Sequence, residues 1–177
     1  MKKYELLKDD TIEVAGKTLF RIKALISFKD IRKGEIGGYV EAERNLSQSG
    51  NACVTGNAWV CDDAWVSGNA RVTGNARVSD NAWVSGNACV TGNAWVCDDA
   101  WVSGNAWVET SNDYIVFKNN WSSFRWFTYT KSNKMWRVGC FYGTGDELIK
   151  EAYADSEESG RKYELYVNLV KELYRDE

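Results

Sequence analysis

From Gly50 to Glu109 the chain repeats one pattern every six residues: Gly or Asp, Asn or Asp, Ala, a variable residue, Val, and a closing Thr, Ser or Cys that becomes Glu only in the last unit. Ten such units fill the segment with no residue left over. Alanine holds the third place from Ala52 to Ala106, and valine holds the fifth from Val54 to Val108. Two apolar positions separated by one variable position predict a three-residue strand with Ala and Val facing in, because strand side chains alternate between faces. The Gly-Asn, Asp-Asn and Asp-Asp pairs between strands predict the corners, where these residues tolerate the positive φ of a tight bend. A six-residue unit cannot bury its Ala/Val face alone, so successive units are predicted to coil and stack, about 4.8 Å per rung.

The variable positions reveal the period of the coil. Units 18 residues apart share Asp62, Asp80 and Asp98 at the corner, Trp65, Trp83 and Trp101 facing out, and Ser67, Ser85 and Ser103 after valine. A second column reads Trp59, Arg77, Trp95, and a first reads Cys53, Arg71, Cys89, Trp107. Turns of two or four units would scatter the Asp and Ser sets, so a three-sided coil of three units per turn is predicted.

The flanks differ in character. Residues 1–49 form an N-terminal β cap in this reading, with a hairpin of Thr11 to Val14 and Thr18 to Leu25 joined at Ala15-Gly16-Lys17, and with Gly37-Gly38 leading into the coil. Such a cap is needed because an open first rung would recruit foreign strands. Residues 50–109 are the hexapeptide-repeat β-helix, and residues 110–177 a C-terminal β-meander plus two helices. The meander is predicted at Tyr114 to Phe117, Phe124 to Thr130 and Met135 to Tyr142; a short helix follows from Gly145, then a longer amphipathic one with Asp155 and Glu158 as its capping box. Between Asp113 and Gly145 the net charge is +4, from five basic residues and one acidic; from Asp146 to Glu177 it is −5, from five basic and ten acidic. The two blocks are expected to face one another in part.

Composition narrows the chemistry. A chain of 177 residues makes one or two domains, and a net charge of −3 fits neither a basic nucleic-acid coat nor an acidic tail. The N-terminal MKKYELLKDD lacks the apolar run of a secretory signal, and no apolar stretch of membrane-spanning length occurs, so a soluble, cytoplasmic protein is expected. There is no histidine, which removes the commonest general base and zinc ligand. Cys53 and Cys89, like Cys61 and Cys97, share a column but lie two rungs apart, about 10 Å, beyond disulfide reach. No C-x-x-C pair exists. No catalytic residue, metal site or cofactor is assigned, and the thiols are expected to be reduced.

The hexapeptide pattern resembles the left-handed parallel β-helix of the hexapeptide-repeat proteins, best known as trimeric acyltransferases. Arg21 to Leu25, Gly34 to Glu41 and Asn45 to Asn51 are similar to the segments that precede GNA repeats in bacterial and prophage β-helix proteins of the YdcK type. Val138 to Phe141, GTGDEL and a Tyr-rich helix look like the ending of phage versions. Those versions usually carry His and Asn before the last helix, where this chain reads Tyr153 to Gly160 without either, a departure at any site built on that His. The resemblance implies a mainly β chain with a short left-handed β-helix, a β-hairpin cap and a small α+β ending, encoded by a phage or prophage.

Three features are candidates for function. The outward Trp65, Trp83 and Trp101, each able to bury about 150–250 Å², form a patch larger than monomers leave wet. Either the C-terminal region or a second copy covers it, or it is a recognition face for a partner protein or a flat ring. The adjoining Asp62, Asp80 and Asp98 either bind a cation or accept turn hydrogen bonds. Arg77 between Trp59 and Trp95 is either a cation–π staple or a contact for phosphate or carboxylate. Finally, Arg125, Trp126, Tyr129, Lys131, Trp136 and Arg137 form the residue set that nucleotides and single strands favour, unless half the rings are core. The combined reading is a non-enzymatic, homo-oligomeric binding protein, dimer or trimer, that engages a host protein or a nucleotide signal in the host cytoplasm and so inhibits an anti-phage defence. Nucleic acid is the less favoured ligand. The alternatives are an acyltransferase-like enzyme using one of the three aspartates as base, and a structural or assembly component.

Overall fold

The computed structural model describes residues 1–176. Strands β1 (Tyr4–Val14) and β2 (Lys17–Ala24) form an antiparallel hairpin whose turn residues, Ala15 and Gly16, both have positive φ, as a two-residue hairpin turn requires. β1 begins at Tyr4, well before the alternation read from Thr11, because a bulge between Leu7 and Thr11 carries the charged segment past β2 out of simple register. β3 (Ile36–Val40) pairs antiparallel with β2 on one edge and parallel with the coil on the other. The ladder therefore starts ahead of Gly50, in a rung whose sequence lacks the GNA signature.

The coil supplies ten two-residue strands: β4 (Cys53–Val54), β5 (Trp59–Val60), β6 (Trp65–Val66), β7 (Arg71–Val72), β8 (Arg77–Val78), β9 (Trp83–Val84), β10 (Cys89–Val90), β11 (Trp95–Val96), β12 (Trp101–Val102) and β13 (Trp107–Val108). They assemble into parallel ladders β3–β5–β8–β11, β4–β7–β10–β13 and β6–β9–β12. Each coil strand faces the residue 18 positions on, Cys53 opposite Arg71 and Trp65 opposite Trp83, so the 18-residue turn is the structural unit of a parallel β-solenoid of about four turns. Every repeat Ala and Val is at most 1% exposed, which makes the interior a slender column of small side chains. The corners use Gly in two ladders and Asp in the third; Gly68, Gly86, Asp80 and Asp98 all have φ near +60°. A Cβ at Gly86 would meet the Gly104 backbone nitrogen at 2.9 Å, so the corner is narrow as well as left-handed. Beside it, Asn51, Asn69, Asn87 and Asn105 pass hydrogen bonds from amide to carbonyl up the coil at 3.0, 3.0 and 3.3 Å.

Both ends of the coil are closed by side chains. On the first rung, Lys3 Nζ donates to Ala52 O at 2.8 Å, and the buried Asn45 Nδ2 donates to Asp62 O and Ala64 O, both at 2.9 Å. On the last rung the amides of Trp95, Cys97, Trp101 and Trp107 donate to Ser111 Oγ, Tyr114 Oη, Thr128 Oγ1 and Ser132 Oγ. These hydroxyls belong to a C-terminal antiparallel sheet and its approach: β14 (Tyr114–Lys118), β15 (Trp126–Thr130), β16 (Met135–Val138) and β17 (Phe141–Thr144). The third strand expected from the pattern is two, because Gly139, at φ 57°, turns the chain back and leaves Cys140 exposed at the turn rather than in an apolar strand.

Alternation gives this sheet two faces. Phe117, Phe127, Tyr129, Trp136 and Val138 pack against helices α1 (Gly145–Asp155) and α2 (Glu157–Leu173), while Tyr114, Val116, Thr128 and Arg137 face the solenoid. The helices meet the sheet through apolar faces, not as an acidic block against a basic one. The cap of α2 is Ser156, whose side chain accepts from Ser159 N, in place of the expected Asp155; Thr144 and Glu147 form a capping box on α1. Among the described residues no helix is long and apolar enough to cross a membrane.

Two predictions follow from the caps. Thr128→Val is expected to cost about 1–3 kcal/mol, because it strands a buried amide, and the urea midpoint measures it. Burial pulls the Lys3 pKa down to about 8 from its ordinary 10.5. Between those values the unfolded chain holds a proton that the folded chain lacks, so this residue's contribution to stability rises with pH. Unfolding free energies of the parent and Lys3→Met are therefore expected to diverge in the parent's favour from pH 8 to 10.5; a constant difference would contradict this.

Candidate functional site

The third ladder places Trp65, Trp83 and Trp101 directly above one another. Their rings stack at 4.9 and 4.2 Å, with interplanar angles of 22° and 9°. The parallel register forces the spacing, since the rung separation of a sheet is close to the thickness of an aromatic stack. Each upper indole also donates to the serine of the rung below: Trp83 Nε1 to Ser67 Oγ and Trp101 Nε1 to Ser85 Oγ, both at 3.0 Å. Trp95 does the same to Ser79 Oγ at 2.9 Å in the neighbouring ladder. Two of the three serines of the set seen in the sequence, Ser67 and Ser85, are thus indole acceptors.

The stack ends on a cation. Arg137, from the C-terminal sheet, lays its guanidinium over Trp101 at 3.7 Å from the ring centroid, where a fourth indole would sit. Ser103 repeats the position of Ser67 and Ser85, yet no indole stands above it, and its Oγ is buried without a partner. Arg137 Nε is the other such atom among the described residues. Both orphans lie where indoles give way to a guanidinium, whose donors are set differently from an indole N–H.

The C-terminal region accordingly covers Trp101 only. Trp65, at the far end of the stack, is 41% exposed. Beyond Arg137, Trp126 is 43% exposed and Lys118 Nζ lies 5.3 Å from its ring; Phe124 and Arg125 are exposed beside it. The result is a stacked indole column and, on the C-terminal sheet, a separate exposed basic aromatic group around Trp126.

The structure divides the nucleotide-type residue set. Arg125, Trp126 and Arg137 lie on or beside this face, but Tyr129 and Trp136 are 6% and 2% exposed in the helix-side core and cannot stack on a base. Lys131 sits instead at the β15–β16 turn, 5.0 Å from the Tyr174 ring. Arg77 engages one ring, Trp59, at 5.9 Å, rather than two; Trp59 packs under the N-terminal cap and Trp95 turns its indole to Ser79.

The aspartate corner is occupied by its own backbone. Asp62 and Asp80 accept the amides of Asp80 and Asp98 one rung above, at 3.5 and 3.3 Å, and Asp80 also accepts from Ser79 Oγ. One group of metal-ligand type exists among the described residues, Glu41, Cys61 and Asp62. Lys17 is ion-paired with both carboxylates, and burial pushes the Cys61 thiol up to about 11, so a protonated thiol and an ammonium stand where an ion would bind. The apolar cavity under the cap, lined by Tyr4, Phe28, Ile31 and Cys53 among others, has about 20 Å³ of free space, enough for about one water.

Residues 64–80 and 82–98 each match the YdcK beta solenoid repeat family. The matches begin one 18-residue coil turn apart and include two of the three stacked indoles, Trp65 and Trp83. No curated protein matches the chain.

Two equivalent serines are expected to behave oppositely. Ser85→Ala removes the acceptor of Trp101 and is expected to lower stability by about 1 kcal/mol or more, whereas Ser103→Ala removes an orphan and is expected to be neutral or stabilising. Equal urea midpoints for the two variants would refute the indole–serine account.

Proposed function

We propose that this YdcK-like β-solenoid protein is a non-catalytic binding module that recognises a partner protein through the face from Trp65 to Trp126. The observation that carries the reading is a column of indoles held by stacking, by serine acceptors and by Arg137, yet exposed at its Trp65 end. Tryptophan and arginine dominate binding hot spots, and side chains already held in place lose little entropy on association. The basic margin of Lys118, Arg125 and Arg137 favours a partner surface that is acidic around an apolar centre.

The likeness of both chain ends to phage and prophage β-helix proteins makes a host protein the expected class of partner, and inhibition of a defence protein the consequence of binding it. A nucleotide ligand is the weaker reading, because two rings of the six-residue set are core. An acyl-CoA reaction is weaker still: of the aspartates that would serve as base, Asp62 and Asp80 accept backbone amides and Asp98 accepts the Cys97 thiol. Acyl-CoAs are therefore expected to be neither bound nor turned over.

The test is affinity capture from a bacterial lysate on the immobilised protein, compared with Trp65→Ala/Trp126→Ala. These rings are exposed, so the variant is expected to stay folded and to lose at least tenfold of a captured protein, about 1.4 kcal/mol. Equal capture by parent and variant would remove this face as the site.

A further inference from the structure

The sheet face that meets the helices leaves two hydrogen-bond donors without acceptors. Tyr129 and Trp136 are cross-strand neighbours on β15 and β16, with ring centroids 5.0 Å apart, and are only 6% and 2% exposed. Neither Tyr129 Oη nor Trp136 Nε1 bonds to any described residue, and both side chains line one open groove of about 550 Å³ on the helix side of the sheet. Polar groups on buried side chains are nearly always paired. Two unpaired donors on one groove point to a ligand that accepts from them.

The first turn of α1 forms the same part of the groove. Gly145 has no Cβ to cover the indole: a Cβ there would stand 3.2 Å from Trp136 Nε1 and 2.7 Å from Val167 Cγ1. Thr144 Oγ1 accepts the Glu147 amide, whereas the amides of Gly145 and Asp146 have no intrahelical acceptor and lie at the positive end of the helix dipole. Lys134, from the β15–β16 turn, lines the groove and has no carboxylate partner among the described residues. The one carboxylate on the groove, Asp146, is held by Lys171 at 3.0 Å, and Arg175 at the rim is held by Glu172 at 2.9 Å.

We infer that this groove binds a phosphate monoester, with the phosphate at the start of α1 and the organic group against Val170 and the ring of Tyr174. An indole N–H, a phenol O–H, an ammonium and two helix amides exceed what the two oxygens of a carboxylate serve well. A phosphate offers three strong acceptor oxygens and about −1.5 to −2 charge. The groove lies within the span of small-molecule sites, about 300–1,000 Å³, which is more than an inorganic ion fills. It is on the helix side of the C-terminal sheet and the indole stack is on the solenoid side, so the inference does not rest on the proposed function.

The experiment is a titration of the full chain with phenyl phosphate, followed in the proton–nitrogen correlation spectrum through the indole N–H of Trp136; the same spectra show that each variant is folded. The Trp136 resonance is expected to move saturably. Lys134→Asn removes the ammonium and keeps a residue that tolerates the φ of 55° at this turn. It is expected to weaken binding about tenfold. Tyr129→Phe, which removes only the hydroxyl, is expected to weaken it several-fold, and Lys118→Ala, beside Trp126, to leave it unchanged. Inorganic phosphate is expected to bind more weakly than phenyl phosphate. A Trp136 resonance that stays in place, one that moves equally with sodium chloride at matched ionic strength, an affinity unchanged in Lys134→Asn, or inorganic phosphate bound as tightly as phenyl phosphate would each overturn the inference.

Discussion

A coiled β-sheet has two open ends, and most of the chain outside the repeats exists to close them. Within the coil, amides such as those of Cys53 and Thr55 donate to carbonyls 17 residues ahead in the next rung, while the repeat alanines from Ala58 to Ala106 donate to the carbonyl three residues back. At the first and last rungs there is no further turn to supply a partner, and an unpaired backbone group either costs about 1–3 kcal/mol when buried or recruits another chain when exposed. The molecule meets the two ends differently. A buried lysine and asparagine donate to first-rung carbonyls, and four hydroxyls accept from last-rung amides. The C-terminal sheet crosses the top of the coil as a lid of hydroxyl groups rather than as another rung.

The same translation by 18 residues governs the surface. Once the backbone repeats, identical side chains must stack, and the stack is favourable only for groups that attract their own kind. Asparagine does so by passing hydrogen bonds from amide to carbonyl, and tryptophan by ring contact with an added bond to serine. Aspartate repels its own kind, and at the third corner Asp62 and Asp80 each accept the amide of the aspartate one rung above. Charges that cannot ladder are interrupted: Arg71 stands between Cys53 and Cys89, and Arg77 between Trp59 and Trp95.

Function, in this view, belongs to the outside of the molecule. The interior of the coil is a column of Ala and Val, and Asp62, Asp80, Asp98, Cys61 and Cys97 are bonded to neighbours. What remains is on the surface: the indole column on the coil and the groove at the start of α1. They lie on different parts of the molecule, one on the third ladder and one on the helix side of the C-terminal sheet.

The repeat sequence alone determined the coil, its 18-residue turn, its Ala/Val interior and the Trp, Asp and Ser columns, because strand alternation and stacking are local rules that act on every unit alike. It also located the hairpin turn and both helices approximately. Only the tertiary structure decided which aromatic residues are available. Trp126 and Trp136 belong to the same basic aromatic segment, but one overhangs the solenoid and the other is core, since neighbouring strands and helices choose which sheet face is covered. Spacing gives no sign that Arg137 completes the indole stack or that Ser103 is left without a donor, because contacts between distant segments depend on how the lid docks. The same holds for α2: Tyr163, Leu169, Val170 and Leu173 share one amphipathic pattern, but the sheet buries Tyr163 and Val170 and leaves Leu169 and Leu173 exposed, since periodicity cannot say which apolar stripe will be covered.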